Sequence, residues 1–132
     1  MGILRKLATF AKTEDGSATV EATLWVPAMI GLICLAADAS FIFFGQNQAY
    51  RVVQDANRSL SIGRLSSSDE VETYITTQLA SLSPNAVVQS SVTQGMVNSY
   101  VRIPSSDLAA TGLINSLLTT TITVGSRHFV EY

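Results

Sequence analysis

Asp15-Gly16-Ser17-Ala18-Thr19-Val20-Glu21 is the stretch around which this chain is organised, and an apolar run that reaches Phe44 follows it at once. Between Ala22 and Phe44 the only formal charge is Asp38. A helix rises about 1.5 Å per residue, so this run is about 34 Å long and can cross a hydrocarbon core about 30 Å thick. The sequence therefore predicts one membrane-spanning helix near the N-terminus.

A glycine, a glutamate five residues later and then a spanning helix resemble the processing site of type IV prepilins and pseudopilins. In those proteins the leader is cut after the glycine on the cytoplasmic side, and the fifth residue of the mature chain is glutamate. The resemblance implies a cut between Gly16 and Ser17 by an inner-membrane prepilin peptidase. It also implies that Glu21 pairs with the free amine that the cut creates. The alternative for Glu21, from the residues alone, is a carboxylate that snorkels to the inner interface.

Two other kinds of N-terminus compete with this prediction. Ala37-Asp38-Ala39 before Ser40 has the form of a signal-peptidase site, but the released chain would begin with a strongly apolar segment. A lipoprotein would need a small residue before Cys34, where Ile33 lies. The prepilin-type cut is therefore favoured, and the principal alternative is an uncleaved single-pass membrane adaptor whose periplasmic domain binds a protein partner.

Two residues interrupt the regular pattern of the apolar helix. Asp38 lies about 25 Å past Glu21 along the axis and is predicted to be an intramembrane or interfacial polar residue. A solvated carboxylate at the outer interface is favoured over one that faces a partner helix. Pro27 lacks a backbone donor, so a kink or a loosened turn is predicted there.

The helical pattern continues beyond Phe44 and predicts a helix that leaves the membrane. Five apolar residues recur at intervals of three and four and form one stripe: Ala49, Val52, Val53, Ala56 and Leu60. We therefore predict one helix from about Ser17 to Ser61, half in lipid and half in water, and ended by Gly63.

The rest of the chain predicts an α+β fold: the long N-terminal membrane-spanning helix continues into a small soluble domain with a second helix and a three-stranded antiparallel sheet. Ser67 and Glu70 match a capping box at the start of the second helix, which is predicted to run to about Ser83. Two strands over 86–92 and 96–103 flank a turn at Gln94-Gly95. A loop with a helical turn follows over 104–118, and a third strand is predicted over 119–130.

The order of these features resembles the TadE- and TadF-like minor pilins, or pseudopilins, of tight-adherence (Flp-type) pili. The residues that carry the resemblance are 16–22, 54–58, 101–104 and 121–124. The resemblance implies a cleaved cytoplasmic leader over 1–16, a transmembrane helix over 17–44 and an extracytoplasmic pilin-like domain over 45–132. It implies a protein of the bacterial inner membrane, with its domain in the periplasm, that takes part in assembling a pilus for surface attachment. The partners it implies are a prepilin peptidase, sibling minor pilins, the major pilin and the assembly platform.

Composition and motifs give no support to enzymatic chemistry. The net charge is −2 and charged residues make up 14%, which does not favour nucleic-acid binding. His128 is the only histidine and Cys34 the only cysteine, so no metal-ligand spacing exists. No G-x-S-x-G motif and no glycine-rich phosphate loop occur. We predict a non-enzymatic protein with no catalytic residues, metal, cofactor or small-molecule substrate.

Overall fold

The structure is a computed structural model that describes residues 15–131, with side chains described from Ala18 onward. The chain divides into two compact units, Met1–Cys34 and Leu35–Tyr132. The predicted leader over 1–16 lies outside the described residues except for its last two positions.

The first element, α1 (Asp15–Ser61), is the long helix that the sequence predicts. It is helical throughout, including at Pro27, and the kink predicted at that residue stays a prediction. The helix ends at Ser61, two residues before Gly63. The φ of Gly63 is 75°, in the left-handed region that glycine adopts without a steric penalty. The Gly63 amide bonds to the Leu60 carbonyl at 3.0 Å, and the Arg64 amide bonds to the Ser59 carbonyl at 2.8 Å. These bonds satisfy the last carbonyls of the helix and confirm Gly63 as its terminator.

The second helix, α2 (Ser68–Leu79), begins at the predicted N-cap. The Ser67 hydroxyl accepts the Glu70 amide at 3.2 Å, and the Glu70 carboxylate accepts the Ser66 amide at 2.7 Å. The predicted end at Ser83 is wrong, because the helix stops at Leu79. The Ser83 hydroxyl donates to the Asp107 carboxylate, and this contact with a distant segment accompanies the change from helix to turn.

Three strands form an antiparallel sheet in the order β1-β2-β3, which confirms the predicted α+β fold. Strands β1 (Val87–Thr93) and β2 (Met96–Pro104) are joined by Gln94 and Gly95, with φ angles of 54° and 74°. Two consecutive positive φ angles are typical of the tight turns that suit the twist of a hairpin. Between β2 and β3 (Thr121–Phe129), residues 105–120 contain the short helices α3 (Ser105–Leu108) and α4 (Leu113–Leu117).

The core of the domain lies between the sheet, α2 and the second half of α1. The predicted stripe of α1 is buried except for the partly buried Val52, and one face each of α2 and β2 is buried. The buried apolar residues are Ala49, Val53, Ala56, Leu60, Val71, Ile75, Leu79, Val97, Val101, Ile103, Leu108 and Val124.

A chain of polar groups crosses this core and centres on Asn57, which is fully buried. Its amide nitrogen donates to the Ser126 carbonyl at 2.9 Å, and its amide oxygen accepts the Ser99 hydroxyl. The Ser99 and Ser90 hydroxyls are 2.8 Å apart, and the Ser90 amide donates to Glu72 at 2.7 Å. Buried polar groups are costly unless they are paired. This hydrogen-bonded series of side chains therefore favours one register between α1 and the strands.

Candidate functional site

The first half of α1 exposes large apolar side chains on all sides. Eight such residues between Ala18 and Ile33 are at least half exposed: Val20, Leu24, Trp25, Val26, Met29, Ile30, Leu32 and Ile33. The best 18-residue window has a mean hydropathy of 2.0. Within the described residues, α1 is the one helix long and apolar enough to cross a membrane. An exposed apolar surface of this extent indicates a lipid or protein environment instead of water.

Two hydroxyl groups on α1 form hydrogen bonds inside the helix itself. The Thr23 hydroxyl donates to the Thr19 carbonyl at 2.7 Å, and the Ser40 hydroxyl donates to the Ala36 carbonyl at 2.8 Å. A hydroxyl that bonds to the carbonyl four residues earlier needs no water, which makes it compatible with hydrocarbon.

Glu21 is the only formal charge between Ala18 and Ala37, and its side chain is exposed. Ser17 precedes it by four residues in the same helix. Residues four apart lie on nearly the same face, about 6 Å apart along the axis. The backbone therefore places Glu21 one turn from the amine that a cut after Gly16 would create. The roles of Gly16, Ser17 and Glu21 stay predictions.

Asp38 is fully buried, so the expectation of a solvated carboxylate is wrong. One carboxylate oxygen accepts the Thr111 amide at 2.6 Å, and the other accepts the Ile114 amide at 3.1 Å. These amides lie at the start of α4, whose N-cap is Gly112 and supplies no side-chain hydrogen bond. The first amides of a helix have no partner within it, so a carboxylate from α1 serves as the missing cap.

Two further contacts hold the segment 105–120 in place. The Leu108 side chain packs against Gly45, where an added Cβ would lie 2.5 Å from a Leu108 methyl carbon. Asp107 bonds to Ser83 and Asn85. Burial by itself would raise the pKa of Asp107, but these hydrogen bonds outweigh it and lower the pKa below its usual value. The segment between β2 and β3 is therefore attached to α1 and also to the turn after α2.

Removal of the Asp38 carboxylate is expected to loosen this segment. In Asp38→Ala, the Thr111 and Ile114 amides lose the carboxylate that accepts their hydrogen bonds. Exchange of these two amides is expected to accelerate roughly tenfold or more, and the melting temperature of the domain to fall by roughly 5–10 °C. Hydrogen-exchange mass spectrometry on the detergent-solubilised chain measures the first effect, and a thermal scan the second.

Asp69→Ala is the matched control, because Asp69 is an exposed aspartate of the same domain. Exchange of the Thr111 and Ile114 amides is expected to be unchanged in this variant. Equal exchange in the Asp38 and Asp69 variants would show that the carboxylate does not cap α4.

Within the described residues, no three histidine, cysteine, aspartate or glutamate side chains come together as a possible metal site. His128 is exposed on β3, and Cys34 is a free, partly buried thiol. Two separate features are therefore candidates: the apolar half of α1 with Glu21, and the buried Asp38 at the start of the folded domain.

These features define a class of protein: a single N-terminal helix, consistent with single-pass membrane anchoring, that continues into a small α+β domain. Residues 16–58 match the model of a family described as TadE-like protein. Over this segment, about a third of the chain, the protein is similar to the TadE-like family, in agreement with the predicted resemblance. Comparisons with curated proteins and with solved structures gave no match.

Proposed function

We propose that the protein is a minor pilin, or pseudopilin, that takes part in the assembly of a tight-adherence pilus for surface attachment. The observation that carries this proposal is the TadE-like match, which begins at Gly16 and covers the helix to Arg58. The family is associated with these pili and is generally non-enzymatic. The matched segment contains the proposed cleavage glycine, Glu21 and the whole exposed apolar surface of α1.

In this proposal a prepilin peptidase removes residues 1–16, the helix holds the chain in the inner membrane, and the α+β domain lies in the periplasm. Sibling pilins, the major pilin and the assembly platform are its partners. The helix would enter the pilus through its apolar surface, because those side chains need a dry neighbour once the chain leaves the lipid.

The buried carboxylate of Asp38 argues against a signal-peptidase cut before Ser40. Such a cut would remove Asp38 and leave the Thr111 and Ile114 amides without their acceptor. It would also fall inside the segment that the family match covers. The remaining alternative is an uncleaved adaptor, which would use the same helix and the same domain.

The mass and N-terminal sequence of the chain purified from membranes distinguish these functions. A start at Ser17 supports the pilin proposal, a start at Met1 supports the adaptor, and a start at Ser40 would indicate a secreted domain. Co-purification with sheared pili then tests whether the processed chain reaches the filament.

Gly16→Leu is expected to block processing almost completely. A peptidase has to bind the backbone on both sides of the bond that it cuts, and glycine leaves that backbone free of a side chain. The variant should accumulate in the membrane as the full-length precursor, which intact-mass measurement detects.

Gly31→Leu is the matched control, because Gly31 lies in the same helix and an added Cβ there would meet no atom within 4 Å. It should be processed as the unchanged chain is. If Gly16→Leu also lost its first 16 residues, the prepilin-type cut would be excluded.

A further inference from the structure

The segment between β2 and β3 lies at the end of the domain where the packed half of α1 begins. Leu108 packs against Gly45, and the Thr111 and Ile114 amides reach Asp38. Gly45 and Asp38 are about 10 Å apart along the helix. At the opposite end of the sheet, Ser61 bonds to the Phe129 carbonyl. The segment therefore extends along α1 from Gly45 to Asp38.

Around this end the domain exposes an apolar collar, which we define as Phe41, Phe43, Phe44, Leu117 and Leu118. Their exposed fractions are 53%, 64%, 65%, 65% and 67%. Leu117 and Leu118 follow Ile114 by three and four residues, so the Asp38 hydrogen bond holds the helix α4 that carries them. Five large apolar side chains this exposed, at one end of a small domain, indicate a surface that contacts something other than water.

The surroundings of the collar carry almost no charge. Apart from Asp38, which is buried and bonded to the Thr111 and Ile114 amides, residues 38–50 of α1 contain no charged side chain. Residues 105–120 contain only Asp107, whose carboxylate is occupied by Ser83 and Asn85. The two segments that carry the collar therefore place no unpaired formal charge beside it, which suits the interfacial layer of a bilayer.

We propose that the apolar collar inserts into the interfacial layer of the same bilayer that α1 crosses. The predicted span reached Phe44, but the domain already bonds to α1 at Asp38. The helix from Ala18 to Asp38 is about 30 Å long, which matches the hydrocarbon core, so we place Asp38 and the helix α4 that it caps at the far interface. Aromatic and leucine side chains bind this layer favourably. The occupant of the collar is thus lipid, and the domain rests on the membrane before assembly. The proposal depends on the membrane anchoring in the proposed function, but not on the pilus role.

Fluorescent labels on the full-length chain test this contact. In a Cys34→Ser background, single cysteines replace Leu117 and Leu118 in separate variants, each labelled with an environment-sensitive dye. The matched controls are Leu24→Cys, on the exposed apolar half of α1, and Ser91→Cys, on β1 away from the collar. The chains are reconstituted in vesicles of phosphatidylcholine and phosphatidylglycerol, with nitroxide-bearing lipid as the quencher.

We expect quenching at Leu117 and Leu118 to be several-fold stronger than at Ser91 and similar at low and high protein-to-lipid ratios. Quenching at Leu24 alone would show that the helix is anchored but the collar is not in lipid, which would overturn this proposal and leave the proposed function standing. No quenching at Leu24 would overturn the anchoring itself. Labels at Leu117 and Leu118 that become shielded only at high protein-to-lipid ratio would assign the collar to a second copy of the chain and not to lipid.

Discussion

Glu21→Gln is expected to leave insertion and cleavage intact and to reduce incorporation into the assembly by more than roughly tenfold. A tenfold loss corresponds to about 1.4 kcal/mol of lost interaction free energy. The variant keeps the shape of the side chain and removes its charge. Cleavage should be unaffected because Glu21 lies a full turn from the proposed cut. The loss should appear only when the processed helix joins other subunits.

The physical reason is the ammonium group that a cut would create at Ser17. A charge in a dry helix bundle is strongly unfavourable unless an opposite charge meets it. Glu21 is the only formal charge on this part of α1, and the apolar side chains around it offer no substitute. A neighbouring subunit that aligns its amine with Glu21 would also set the axial register between the two helices.

The measurement compares the processed chain in membranes with the chain in sheared pili. Glu21→Asp keeps the charge and should retain part of the incorporation. Glu131→Gln removes an exposed glutamate of the domain and should have no effect. Normal incorporation of Glu21→Gln would reduce Glu21 to an interfacial carboxylate and leave the cut as the only function of the motif.

Asn57→Leu is expected to lower the free energy of unfolding of the domain by about 2–4 kcal/mol. Leucine has a similar volume but removes the donor to the Ser126 carbonyl and the acceptor of the Ser99 hydroxyl, which keeps only Ser90 as a partner. Ser99 is fully buried, so water does not replace the lost acceptor. A domain of this size has a total stability of about 4–13 kcal/mol, so the change is a large fraction of it.

Hydrogen exchange of the β2 and β3 amides in the full-length chain measures this effect. Asn47→Leu is the matched control, because Asn47 is an exposed asparagine of the same helix, and its effect should stay within about 0.5 kcal/mol. Equal exchange in the two variants would show that the buried amide of Asn57 contributes nothing to the stability of the domain.

Features that depend on neighbouring residues could be read from the sequence. The apolar run and the stripe from Ala49 to Leu60 predicted α1 as one helix, and Gly63 marked its end because glycine alone adopts the required φ freely. The turn at Gln94-Gly95 and the cap at Ser67 follow from the same local chemistry. The end of α2 was misplaced, because the Leu82 and Ser83 amides both bond to the Leu79 carbonyl and form a turn that the apolar pattern does not reveal.

Asp38 shows why part of the candidate site was out of reach. An aspartate in an apolar run suggests an interface, since local hydropathy treats each carboxylate as solvated unless a partner is known. Its partners at Thr111 and Ile114 are 73 and 76 residues away. They are backbone amides, which every residue except proline carries, so the amino-acid types at those positions give no signal. Only Gly112, a helix start without a capping side chain, indicated that a cap from elsewhere was needed.

The sequence by itself predicted the long apolar helix, the segment that matches the TadE-like family and the order of helices and strands, because each depends on residues within a few turns of one another. Tertiary structure decided where the free part of α1 gives way to the folded domain, and which polar groups hold that domain together. Asp38 and Asn57 acquire their roles only when segments far apart in the chain exclude water around them. Burial is what converts an ordinary carboxylate and an ordinary amide into the groups on which this fold depends.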